Sequence, residues 1–189
     1  MADIEFLNRF EGKVLDELLR LCTMYKMLDG TLLATDDIDN RWHDIAPEYM
    51  ADAVPQVQQY PTVSVAWAAY LGMGMAHGWD SDWTTYSTIG YKDFYGQQGF
   101  DDLDEHVLES QLGIMLDSRE AKDIEAMLRR CAQTAITLIR HEQIEPQSTM
   151  AFHIFARACR VMYRIGASIQ LKRMGYHFEP FDISDFNSN

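Results

Sequence analysis

Apolar residues recur along this chain at helical spacing, and nowhere do they keep up the two-residue alternation of a strand. Leu7, Phe10, Val14, Leu18, Leu21, Tyr25 and Leu28 step by three or four positions. They make one apolar stripe over about six turns. Glu5–Arg9 and Asp16–Arg20 fall at i,i+4 on the wet side. Gly30 follows where a left-handed residue closes a helix. The stripe covers only about three heptads, so a bundle helix fits it better than a coiled coil.

Residues 31–40 read as a loop. Pro47 and Pro55 divide the next stretch, 41–60, into short helices, each proline suited to a first turn. Pro61 opens a further helix by the same logic. Residues 80–100 are the least regular part and form a long loop rich in aromatic residues and glycine. A short helix over 101–112 ends at Gly113. Asp117, three before Glu120, resembles a capping box. Beyond it Ala121, Ile124, Leu128, Cys131, Ala135 and Ile139 line one face of a long helix that Pro146 ends. Ser148 or Thr149 caps the last long helix, which runs to about Met174. These elements predict an all-α, single-domain helical bundle over residues 1–175. It has about four long helices, shorter connecting ones and one aromatic-rich loop. The tail 176–189 carries Tyr176, Phe178, Phe181 and Phe186 among acids. It is expected to pack back on the domain or on a sister subunit.

The segment Thr62–Trp79 holds 18 residues without a charge, the lower limit for crossing a bilayer. Asp80 and Asp82 follow at once, and no Lys or Arg flanks either end, so a membrane span is excluded. Gly72, Gly74 and Gly78 have the wrong spacing for a dinucleotide loop, and no strand precedes them. On a helix, Val65, Ala68, Ala69, Gly72 and Ala76 share one nearly flat side. A second helix backbone can approach that side closely. The segment is therefore a central helix or part of a subunit interface.

Composition and charge narrow the function classes. With 189 residues the chain needs neither metal nor disulfide to form a core. Cys22, Cys131 and Cys159 lie far apart in apolar helical stretches and read as core thiols of a reducing compartment. The N-terminus shows no secretory pattern, so a cytoplasmic protein is expected. Net charge is −13, which argues against nucleic acid and anionic membranes as partners. Residues 1–110 hold 20 acids and 6 bases, while residues 111–175 hold 6 acids and 10 bases.

That asymmetry concentrates in the last helix. His153, Arg157, Arg160 and Arg164 fall within about 60° of one another, with Ser168 continuing the line. The rest of the helix is apolar. Such a ribbon either meets carboxylates of the acidic half or binds a small anion, for which guanidinium forks are suited. Trp79 and Trp83, at the start of the aromatic loop, either close over a ligand or cover the bundle's end.

No complete catalytic set stands out. His43, Asp44, His77, Asp80 and Asp82 are the residues that could hold a divalent ion for hydrolysis if they converged. The leading expectation is a non-catalytic, cofactor-free domain, dimeric, that binds a protein partner or a small anion through the arginine ribbon. A metal-dependent hydrolase is the rival.

Overall fold

Two helices cross at the centre because each leaves room for the other's backbone. They are α3 (Pro61–Ser81) and α7 (Thr149–Arg173). A Cβ on Gly72 would overlap the carbonyl oxygen of Tyr163, and one on Gly166 would overlap that of Ala69. The flat side predicted for α3 is therefore spent on α7. It is covered within the chain and offers no surface to a second copy. Val65, Ala68, Ala69, Gly72 and Ala76 are all buried. No helix among the described residues is long and apolar enough to cross a membrane.

The computed structural model describes residues 3–178, and among them there is no strand, only helices, irregular connections and one isolated antiparallel bridge between Gly96 and Gly99. Around the central pair stand α1 (Ile4–Met24), α2 (Asp36–Ala53) and α6 (Arg119–His141). Asp3, Thr35, Ser118 and Ser148 cap α1, α2, α6 and α7, each side-chain oxygen accepting from the amide three residues on. The all-α architecture is as the periodicity predicts.

Five local expectations change. The stretch 31–40 is a loop only to Thr35, because the Thr35 side chain caps α2 and starts it at Asp36. Pro47 does not start a helix but sits inside α2. Its missing N–H would have met the carbonyl of His43. Both residues face solvent, while Ile38, Trp42, Ile45 and Tyr49 hold the other side in the core. Burial of that stripe outweighs the lost bond. Next, α1 stops at Met24. Lys26, at φ 63°, takes the left-handed position expected of Gly30, and the amides of Met27 and Leu28 bond the Cys22 carbonyl. Cys22 is consequently buried, whereas Tyr25 is exposed. Ser118, not Asp117, caps α6. Finally, α6 ends at His141 with Gln143 left-handed, before Pro146 is reached.

The predicted aromatic loop is partly helical. It contains α4 (Trp83–Tyr86), a 3-10 turn at Tyr91–Phe94 and another at Phe100–Asp102, followed by α5 (Leu103–Glu105) and a π-helical turn at His106–Gln111. Tyr91, Phe94 and Phe100 are buried. Trp67 Nε1 donates to the Phe100 carbonyl at 2.8 Å, and the Tyr91 hydroxyl donates to Asp52 at 3.0 Å. The segment closes one side of the bundle. Of the tail, Tyr176 and Phe178 are exposed, and Phe181 and Phe186 lie outside the described residues.

Candidate functional site

The arginine ribbon is assembled as the helical projection requires, and its contacts are with the chain's own acids. Arg157 hydrogen-bonds Glu11, and donates to Asn8 Oδ1 at 3.0 Å. Arg160 stands 3.5 Å from the other Glu11 oxygen, and Arg164 3.4 Å from Asp39. Ser168 Oγ accepts from the amide of Leu33 at 2.8 Å. Burial raises the Asp39 carboxyl above its ordinary range, against the pull of Arg164 and Arg160. The ribbon thus clamps α1 and the start of α2 onto α7. His153, one turn before Arg157, makes a ring contact with Phe152 at 5.7 Å.

The candidate metal ligands are engaged separately. Asp44 pairs with Arg41 at 2.6 Å, and Asp80 accepts from the Tyr176 hydroxyl at 2.7 Å. Asp82 caps α4 through the amide of Thr85. His43 lies on the exposed side of α2, and His77 is half-buried on α3. Among the described residues no three His, Cys, Asp or Glu side chains come together as a metal site. Trp79 donates to Asp37 at 3.2 Å and packs against Tyr176, and Trp83 packs on the core. The three thiols are buried and free, Cys22 and Cys131 with their sulfurs 3.5 Å apart. That sulfur contact and burial push the Cys131 thiol well up, and burial does the same at Cys159.

The feature best shaped for a ligand lies elsewhere, at the end of the bundle where α3 and α7 begin and α6 finishes. There a groove of about 720 Å³ opens between the Val54–Gln56 turn, Pro61 and Val65 of α3, Ile136 and Ile139 of α6, and Ala151, Phe152 and Phe155 of α7. Its size falls among those of small-molecule sites. Its walls are mostly apolar, and Val54 and Phe152 are among the large hydrophobic residues left exposed. Arg140 is the ionisable residue in the lining, joined by the neutral Gln58, Gln147 and Ser148. A shallower hollow lined by Trp42, His43, Pro47 and Met50 adjoins it across Phe152.

Local sequence explains why the groove stays open. The apolar stripe of α6 runs on past its last fully buried member to Ile136 and Ile139, which stay partly exposed and line the groove. Gln143 and Gln147, both left-handed, swing the connection outward around Ile144 and Pro146. Of the groove's lining, Val65 and Ile139 belong to the stripes predicted for α3 and α6, and Phe152, Ile154 and Phe155 to the apolar part of the last helix; their convergence on one cavity is not predicted. A stripe extending beyond its last fully buried member, Ala135, was the available signal.

A hollow of polar character lies near Gly96, Asp102, Glu105, His106 and Glu109. Asp102 there is occupied in bonding the amides of Gly96 and Gln98 at 2.9 and 3.0 Å. No protein-family model, curated protein or solved structure matches the chain.

Proposed function

We propose that this protein is a non-catalytic binding domain whose site is the apolar groove at the α3/α7 end of the bundle. The observation that carries the reading is a cavity of about 720 Å³ with apolar walls drawn from α3, α6, α7 and the Val54–Gln56 turn. Exposed Phe152 and Val54 at its edge cost hydration free energy that an apolar ligand would recover. The arginine ribbon supports the same reading indirectly: with its guanidiniums held by Glu11 and Asp39, it braces the scaffold on which the groove is built. The unpaired thiols fit a protein of a reducing, cytoplasmic compartment.

The test is titration with a neutral fluorescent apolar probe, N-phenyl-1-naphthylamine, against the native chain and Ala151→Trp. Ala151 lines the groove, and an indole there fills it. Saturable binding at one site per chain is expected, weakened at least about tenfold in the variant, with an unchanged melting temperature. Equal binding by both proteins, or none by the native chain, would remove the reading.

A further inference from the structure

One ionisable side chain lines the groove, and among the described residues its guanidinium is unpaired. Arg140 lies in the last turn of α6, exposed, and lines the groove. Its backbone carbonyl accepts from the Gln143 amide, but among the described residues its guanidinium has no hydrogen-bond or ion-pair partner, in contrast to those of Arg157, Arg160 and Arg164. No carboxylate lines the same cavity. From this juxtaposition we infer that the groove takes a small amphipathic carboxylate, its chain laid along the apolar walls and its headgroup held by Arg140. The inference rests on the binding-domain reading and adds the ligand's class.

Charge complementarity selects the headgroup. A guanidinium offers parallel N–H donors that match the two oxygens of a carboxylate. The other polar lining groups, Gln58, Gln147 and Ser148, are neutral. They can complete hydrogen bonds to a single negative charge, but they cannot neutralise the second charge of a phosphate monoester. The first turn of α7 opens on the same cavity, and its field has the sign that favours an anion. The walls select the body. Ile136, Ile139, Phe152 and Phe155 offer it only hydrocarbon, so a saturated chain loses no hydrogen bonds on entry. A cavity of this volume accommodates a medium-length chain, with the adjoining hollow past Phe152 available to a longer one.

Displacement of N-phenyl-1-naphthylamine by decanoate, 1-decanol and decyltrimethylammonium tests this, on the native chain and on Arg140→Gln. Decanoate is expected to compete best, at least about tenfold ahead of decanol, with the cation weakest. Arg140→Gln should bring decanoate down to the level of decanol while leaving probe and decanol unchanged, which also reports that the variant is folded. Decanol equal to decanoate on the native chain overturns the carboxylate assignment while the groove reading stands. Absence of probe binding removes both. Sedimentation supplies the remaining arm. A dimer that Ala151→Trp converts to monomer, and that decanoate leaves intact, would give the groove to a second copy and overturn the inference.

Discussion

Burial works against the Asp104 carboxyl as it does against Asp39, but with no guanidinium close by among the described residues to oppose it. Asp104, in α5, is pushed up to about 6, first by burial and then by the nearby Glu105 and Glu125, while backbone hydrogen bonds from Glu105 and its own amide oppose the rise. An unfolded Asp titrates near 4. Between those values the folded state holds the proton more tightly, so the penalty from this group is absent below about pH 4 and grows as pH rises through 6. Asp104→Asn keeps the shape and removes the charge. It is expected to stabilise the protein at pH 7 by about 1 kcal/mol, after discounting for partial exposure. The variant should also flatten the pH dependence of the melting temperature between about 4 and 6. An unchanged pH profile would show that the carboxyl is better hydrated than its position implies. No sequence pattern marks Asp104, because its environment is made by Tyr70 and Glu125, distant in the chain. The arginine ribbon differs. Three guanidiniums on an apolar helix demand carboxylates, so pairing is legible from the sequence, but the identity of Glu11 and Asp39 depends on how the helices dock.

Helices were legible wherever a stripe met a complete partner. The stripes of α1, α3, α6 and α7 each run against another helix, and their spacing is sufficient to find them. Pro47 misdirects the reading of α2 because the rule against proline in helices concerns one lost bond, while six buried residues of that helix favour its continuation. The helix ends were less legible, since Lys26 and Gln143 adopt left-handed conformations that tertiary packing imposes. Glycine at the α3/α7 crossing allows a direct test at this scale. Gly72→Ala forces a methyl against the Tyr163 carbonyl and the Ala167 amide. Backbone cannot step aside as a side chain can, so a loss of about 2–3 kcal/mol or more is expected. Gly12→Ala, in α1, meets nothing within 4 Å. It should gain about 0.5–1 kcal/mol from helix propensity. Denaturant midpoints for the two variants must therefore move in opposite directions. A shared direction would mean that the α3/α7 crossing is looser than the glycines indicate.

At the scale of the whole molecule, an acidic N-terminal part is joined to a basic C-terminal one by a few contacts of long sequence separation. Arg157 and Arg160 reach back to Glu11, Arg164 to Asp39, Lys172 to Asp29 and Lys13 forward to Glu142. The groove is also a property of this scale. Its walls come from the Val54–Gln56 turn, α3, α6 and α7, far apart in the chain, a juxtaposition that no single stretch of sequence records. Among the ion pairs Glu11 has the greatest leverage: its side chain is 12% exposed and faces two guanidiniums. Glu11→Gln retains hydrogen-bonding capacity but leaves Arg157 and Arg160 without the carboxylate they share. The expected loss is about 1–2 kcal/mol, between the values for exposed and buried pairs. It also opens a vacancy of fixed charge. Phosphate at millimolar concentration should raise the melting temperature of Glu11→Gln by more than that of the native chain, since any general salting effect acts on both. The excess should disappear in Glu11→Gln/Arg160→Ala, because Arg160 would contact the anion in place of the lost carboxylate. If phosphate stabilises the native chain as strongly as the variant, the ribbon accepts anions beside Glu11 rather than in its stead. The internal clamp would then be only part of its role.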